Sequence, residues 1–442
     1  MRFHILGQGS TGSLIAFHLR RVLSHKHDVH IMYRTNIDAR DCLQYTDGPK
    51  EIHVEYNGSV SVASGFKTES LYEESRFKYN IISDVTDGLR LPKLVFPPSG
   101  SIKTEPLAHS QSETSRFRHC ADYVVLDHSV DQAKKLEISS LIICCRPHST
   151  LLLLNKLRHR LTSRSTVVLL QNGALALYEE LCSSLFQNLN ERPHFILASF
   201  NHSSWEKRHG HVVHTNNGNI HFGIIPDGRR DFEKSRKSTI LSREDRSLNL
   251  DDITQPKKEG EDRQMYTSLR NTVAVLLSMT DLQPKWEPIS ALQVRLRRRL
   301  VTNCVINPIT ALLGCRNGEL FGNSAAERLG RHICIEAANV FSAESSARLN
   351  VELGDSLKRG KQCMRPLRAE TLIEDWQKAV RLNKDLTSSM LLDIQQGRLE
   401  TDIDYSNGYI VRLGKQYSVY AGVNEGLVEM IKLRTEIPVD RS

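Results

Sequence analysis

At 442 residues the chain has room for two domains with insertions, and its 39% hydrophobic and 25% charged content belongs to chains that bury a core. A formal charge of +8, from 59 Lys and Arg against 51 Asp and Glu, suits an anionic ligand, but the basic residues are too dispersed for a nucleic-acid face. Nine cysteines without a CxxC pair, scattered from Cys42 to Cys363, exclude a disulfide framework and a thiolate metal centre, and no apolar run reaches bilayer length.

These limits predict a soluble protein with no membrane or nucleic-acid partner. The cytoplasm is the expected compartment, with the mitochondrion as alternative because the basic helix after residue 12 would mask an import address.

In chain order, RFHIL (residues 2–6) predicts a strand that enters Gly7-Gln8-Gly9-Ser10-Thr11-Gly12 and then the amphipathic SLIAFHLRRVL. GxGxxG between a strand and a helix is a dinucleotide-binding pattern. Gly7 permits the tight turn, Gly9 admits a pyrophosphate, Gly12 lets helix and strand approach, and the helix N-terminus offers N–H groups. The second strand, Val29–Tyr33, ends at Arg34, where a basic side chain accommodates a 2′-phosphate and so favours NADP(H).

From about 35 to 135 the alternation breaks, which predicts an insertion with a hairpin-like signal at Asn57-Gly58. It resumes with the strand Ser140–Cys145, followed by Arg146, and with Thr166–Leu170, followed by Gln171-Asn172-Gly173. Groups just past strand C-termini line the ligand crevice of a parallel sheet, so Arg146 and Asn172 are candidate ligand contacts. Phe195–Ser199 and Gly210–Gly223 predict a strand and a hairpin that close this part. His202, His209, His211 and His214 lie near them, but alternation sends His211 and His214 to opposite faces, and no metal is expected.

Residues 226–264 are dense in charge and poor in aromatics, the composition of a flexible insertion. From 265 to 442 the pattern is helical. Its most informative stretch is RRLVTNCVINPITALLGCRNGEL (298–320). On a helix, Arg299, Asn303 and Asn307 share one stripe that Val301, Val305 and Ile309 avoid, and the Asn307-Pro308 step predicts a kink. The domains predicted are therefore 1–225, the insertion 226–264, and 265–442.

The order ILGQGSTG, QNG, NCVINPITALL with NGEL, SSMLLD and DIDYSNG resembles the ketopantoate reductase family, whose members reduce 2-dehydropantoate to pantoate with NADPH. The resemblance implies an α/β fold: an N-terminal Rossmann-type NADP-binding domain, then an all-α domain, with a small-molecule 2-keto acid held between them. It further implies a monomer or homodimer. Gly7, Gly9 and Gly12 match the phosphate glycines, Arg34 the 2′-phosphate residue, and Asn172 the nicotinamide-side asparagine. Asn303 and Asn307 match substrate asparagines, and Ser389 a serine at the substrate carboxylate.

Three positions depart from the family pattern. Its catalytic lysine falls on Arg299, its catalytic glutamate on Asp402, and a cofactor-side lysine on Arg146. Lysine can steady an oxyanion and donate a proton, whereas arginine keeps its proton and can only polarise the carbonyl. The longer Arg299 and shorter Asp402 are expected to compensate in reach as a pair. The alternative is a catalytically impaired NADP-binding homologue with a structural, sensing or partner-binding role.

Overall fold

The computed structural model describes residues 2–35, 51–72, 137–237, 247–254, 261–353 and 365–437. Its strands are β1 (Arg2–Leu6), β2 (Asp28–Thr35), β3 (Ile52–Tyr56), β4 (Ser59–Ala63), β5 (Lys67–Tyr72), β6 (Ser140–Ile143), β7 (Thr166–Leu169), β8 (His194–Phe200), β9 (Ser203–Arg208), β10 (His211–Asn216), β11 (Ile220–Ile224) and β12 (Pro284–Trp286). Eight form one sheet in the order β12-β11-β8-β7-β6-β1-β2-β5. β1 pairs in parallel with β2 on one side and with β6 on the other. The chain thus reverses direction across the sheet at β1, which opens a crevice at the carboxyl ends of β1 and β6.

Strands β6, β7 and β8 are buried at every residue because helices cover both faces. One face carries α1 (Ser10–Val22), whose Leu14, Ile15, Phe17 and Leu19 pack with Phe3 and Ile5. Burying such side chains stabilises by about 1.5–3 kcal/mol each. The other face carries α2 (Pro147–Leu157) and α3 (Ala174–Ser184).

A second sheet, β4-β3-β10-β9, packs on α1. Its β3–β4 turn is the Asn57-Gly58 hairpin, with both residues at positive φ (49° and 78°), as a two-residue turn requires. β5 joins the large sheet, so residues 51–72 are strands of the fold rather than insertion. Residues 36–50 and 73–136 lie outside the described residues. Gly210–Gly223 is not one hairpin: β10 pairs with β9 and β3, while β11 runs antiparallel to β8. β11 is apolar enough to be buried throughout, whereas β10 alternates and fits a sheet with one open face.

The charged stretch 226–264 also packs in part. Phe232 and Ile253 are buried against Tyr266, whose hydroxyl donates to Asp227 at 2.8 Å, and Ser235 Oγ donates to Asp252 at 2.7 Å. Two apolar anchors and local polar bonds suffice where overall composition predicts a flexible segment. The next helix, α4 (Glu261–Ser278), which composition groups with the helices from 265 onward, lies on the sheet with Leu269, Val273 and Leu276 in its core.

The helical part then comprises α5 (Ile289–Leu313), α6 (Ser324–Leu353), α7 (Ala369–Leu382), α8 (Ser389–Gln395), α9 (Asn407–Gln416) and α10 (Gly422–Glu436). α5 is its axis, packed by α6, α7, α8 and α10. One continuous core joins Leu169, Leu175 and Phe195 to Leu292, Leu300 and Val301, so α5 sits directly on the sheet layer. Among the described residues, no helix is long and apolar enough to cross a membrane.

Candidate active site

The loop after β1 is shaped by its glycines. Gly7 has φ 97°, and a Cβ there would lie 2.7 Å from the Cys145 nitrogen. A Cβ on Gly12 would run into the Gly7 carbonyl oxygen. Gly9 differs: among the described residues nothing lies within 4 Å of where its Cβ would be. It begins α1, which has no side-chain cap and no acidic residue in its first turn. Beside this opening the first turn of α1, from Ser10 to Gly12, offers N–H groups and the positive helix end, a fit for a pyrophosphate. Gln8, in the same loop, is half-buried. Arg34 stands near the end of β2, and its side chain lies outside the described residues.

The predicted stripe on α5 faces a cleft. Asn303 and Asn307 line a narrow compartment with Asn172, Gly173, Leu300, Asp402, Tyr405 and Ser406. A neighbouring compartment shares Asn172, Gly173, Leu300 and Asn303, and adds Arg299, Ser199 and Phe200. Gly173 is required for this meeting of sheet and helices. It has φ 72°, and a Cβ would come 2.8 Å from Tyr405 Cβ, so the QNG turn closes directly on the 3-10 turn Asp402–Tyr405.

Helix α5 runs through Pro308 without a break. Proline has no N–H to give the carbonyl four residues earlier, that of Cys304. Asn407 supplies the donor instead: its buried Nδ2 reaches the Cys304 oxygen at 3.0 Å and Asn424 Oδ1 at 3.0 Å. Asn424 Nδ2 in turn donates to Glu336 at 2.7 Å. This network fixes the turn of α5 between Asn303 and Asn307. The NP step signals an orphan carbonyl, so the need for a donor was readable from sequence; that Asn407 meets it was not.

Arg299 and Asp402 do not pair. Arg299 Nη1 donates to the Phe200 oxygen at 2.8 Å, to Ser199 Oγ at 3.3 Å, and to Asn201 Oδ1. Burial lowers its pKa to about 10, so it remains a cation at neutral pH. Asp402 is instead bridged by Arg146, the residue that begins α2. Arg146 Nη1 lies 3.0 Å from Asp402 Oδ2, and its Nη2 lies 2.8 Å from Asp393 Oδ1. The guanidinium expected on the cofactor side thus ties the loop between β6 and α2 to two helical-part carboxylates. Burial pushes the Asp393 carboxyl up, with Arg146 and Arg398 opposing the shift. Two acceptors at the cleft, Asp402 Oδ1 and Gln171 Oε1, are buried with no hydrogen-bond partner among the described residues, and His148 Nδ1 stands 3.9 Å from Asp402 Oδ1.

Ser389 is half-buried at the start of α8 and lines neither compartment. Its neighbour Ser388 is the cap: Ser388 Oγ accepts from the Leu391 nitrogen at 3.2 Å and from Thr310 Oγ1 of α5 at 2.7 Å. His211 and His214 do face opposite ways, and His214 Nε2 lies 3.1 Å from His202 Nδ1 in a buried pair.

Residues 102–227 match the family described as "Ketopantoate reductase PanE/ApbA", and residues 291–435 match "Ketopantoate reductase PanE/ApbA C terminal". The chain belongs to the ketopantoate reductase family. It is 24% identical over 298 residues to a probable 2-dehydropantoate 2-reductase of Schizosaccharomyces pombe, covering 67% of this chain and 74% of that one. It is 30% identical over 135 residues to the 2-dehydropantoate 2-reductase of Yersinia pestis, where the match spans 30% of this chain and 37% of the relative. The fold is shared with D-mandelate dehydrogenase in its ternary structure with NADH and anilino(oxo)acetate, at TM-score 0.59, 14% identity, and 99% and 98% coverage. It is also shared with a putative 2-dehydropantoate 2-reductase from Enterococcus faecalis, at TM-score 0.53, 15% identity and the same coverage.

Proposed function

We propose that the chain is an oxidoreductase that reduces a 2-keto acid, foremost 2-dehydropantoate, with NADPH. The observation that carries this reading is the convergence of Asn172, Asn303 and Asn307 with Asp402, whose buried Oδ1 has no hydrogen-bond partner among the described residues. A hydroxylated keto acid supplies what this set lacks: a hydroxyl donor for the carboxylate, and oxygens for the asparagine amides. The open space at Gly9 supports the cofactor, and Arg34 at the end of β2 favours NADPH over NADH.

When bound, the reduced nicotinamide supplies the hydride that goes to the keto carbon. Arg299 polarises the keto oxygen and steadies the alkoxide that forms. Its guanidinium keeps its proton, so water delivers the one that completes the hydroxyl. Asn303 and Asn307 orient the substrate through their amides, and Asp402 Oδ1 accepts from its hydroxyl. Arg146 holds Asp402 in place by engaging the other oxygen.

A second reading, a nucleotide-binding homologue without turnover, is favoured by one observation: Arg299 replaces a proton donor and is held by β8 acceptors. Following NADPH consumption with 2-dehydropantoate, beside a fluorescence titration with NADPH, separates the two. Turnover supports the reductase, binding without turnover selects the second reading, and absence of binding overturns both.

A further inference from the structure

Away from the cleft, three strands of the large sheet bring two histidines and a glutamate together. The parallel register sets His4 of β1 beside His30 of β2, and Met32 beside Glu69 of β5, so all three side chains share the sheet face covered by α2. Glu69 Oε1 lies 2.7 Å from His30 Nδ1 and 3.4 Å from His4 Nε2, with the ring centroids 4.8 Å apart. His4 is 1% exposed and the side chain of His30 14%.

His30 Nδ1 and His4 Nε2 both stand at ion-pair distance from the same carboxylate oxygen. At 2.7 Å from the carboxylate oxygen, His30 Nδ1 still lacks hydrogen-bond geometry, and neither its Nε2 nor His4 Nδ1 has a hydrogen-bond partner among the described residues. Arg160 Nη1 engages the other oxygen, Oε2, at 2.8 Å, which orients the carboxylate and leaves Oε1 directed at the rings.

We propose that His4 Nε2, His30 Nδ1 and Glu69 Oε1 form a site for one divalent transition-metal ion, with Zn²⁺ as the best match, that pins β1, β2 and β5 together. Two imidazoles and a carboxylate are a zinc donor set, and the three ligand atoms lie within 4.8 Å of one another. The site lies three residues before Gly7, about 10 Å along the strand from the phosphate loop, so its role is structural. The neighbouring guanidinium opposes a second cation and limits the affinity.

The test uses the full chain stripped with EDTA and titrated with Co²⁺ and then Zn²⁺. The expected result is about one ion bound per chain, with weak visible Co²⁺ bands displaced by Zn²⁺ and a Tm several degrees higher with metal. His30→Gln and His4→Gln, checked for folding by circular dichroism, are expected to lose this uptake. Absence of uptake by the wild-type chain, equal uptake by both folded variants, or a thiolate charge-transfer band would overturn the assignment. Should neither variant fold, the wild-type Co²⁺ spectrum and its displacement by Zn²⁺ decide.

Discussion

Asn407→Leu removes the donor that replaces the missing Pro308 N–H. Two buried acceptors, the Cys304 carbonyl and Asn424 Oδ1, then lose their partner. Each orphaned group costs about 1–3 kcal/mol, so the loss is about 2–4 kcal/mol after the leucine's own burial is allowed for. Urea unfolding at unchanged m-value measures it. The cause is isolated by repeating the substitution in a Pro308→Ala background, where the helix regains an N–H for Cys304. There the cost of Asn407→Leu should fall by about 1–3 kcal/mol. Equal cost in the two backgrounds would refute the claim that Asn407 stands in for the helix donor.

Three further predictions follow from the same geometry. Arg299→Lys should raise turnover on the keto acid, because a buried lysine restores a proton donor worth about 10²–10⁴ in rate, and it should introduce an alkaline limb as that lysine deprotonates; a variant no faster at any pH would contradict the role given to Arg299. Gly9→Ala should leave stability within about 0.5 kcal/mol, as nothing meets its Cβ, yet weaken NADPH binding in the fluorescence titration, whereas Gly12→Ala should destabilise the fold itself. Equal affinity for Gly9→Ala would remove the pyrophosphate from this loop. His18 is buried and its pKa is lowered to about 4, so the unfolded chain binds a proton that the folded chain does not. Its contribution is present above pH 6.5 and lost as pH falls towards 4, on the order of 3 kcal/mol. His18→Gln should flatten that part of the stability profile, and parallel profiles for the variant and the wild-type chain would rule it out.

The sequence by itself determined the features written in short windows. The strand-loop-helix around Gly7 to Gly12 depends on local backbone freedom and a period switch, and the Arg299, Asn303, Asn307 stripe depends only on helix pitch, so both were legible. So was the Asn57-Gly58 hairpin, whose two positive φ angles call for those residue types. Composition misled where a few apolar residues outweigh many charges. Phe232 and Ile253 anchor a stretch that reads as flexible, and α4 reads like its helical successors although its apolar face covers the sheet.

Tertiary structure alone decided the partners of long side chains. Arg146 and Arg299 have similar reach and charge, and nothing local says which one meets Asp402; the approach of the loop between β6 and α2 to the Asp402–Tyr405 turn gives it to Arg146. The same holds for Asn407 on Cys304, 103 residues away, and for Glu69 against His4 and His30 on separate strands. A charge or an unpaired carbonyl announces a need in the sequence. Which distant group meets that need depends on how the sheet and helices pack, because the contact forms only after the intervening chain has folded.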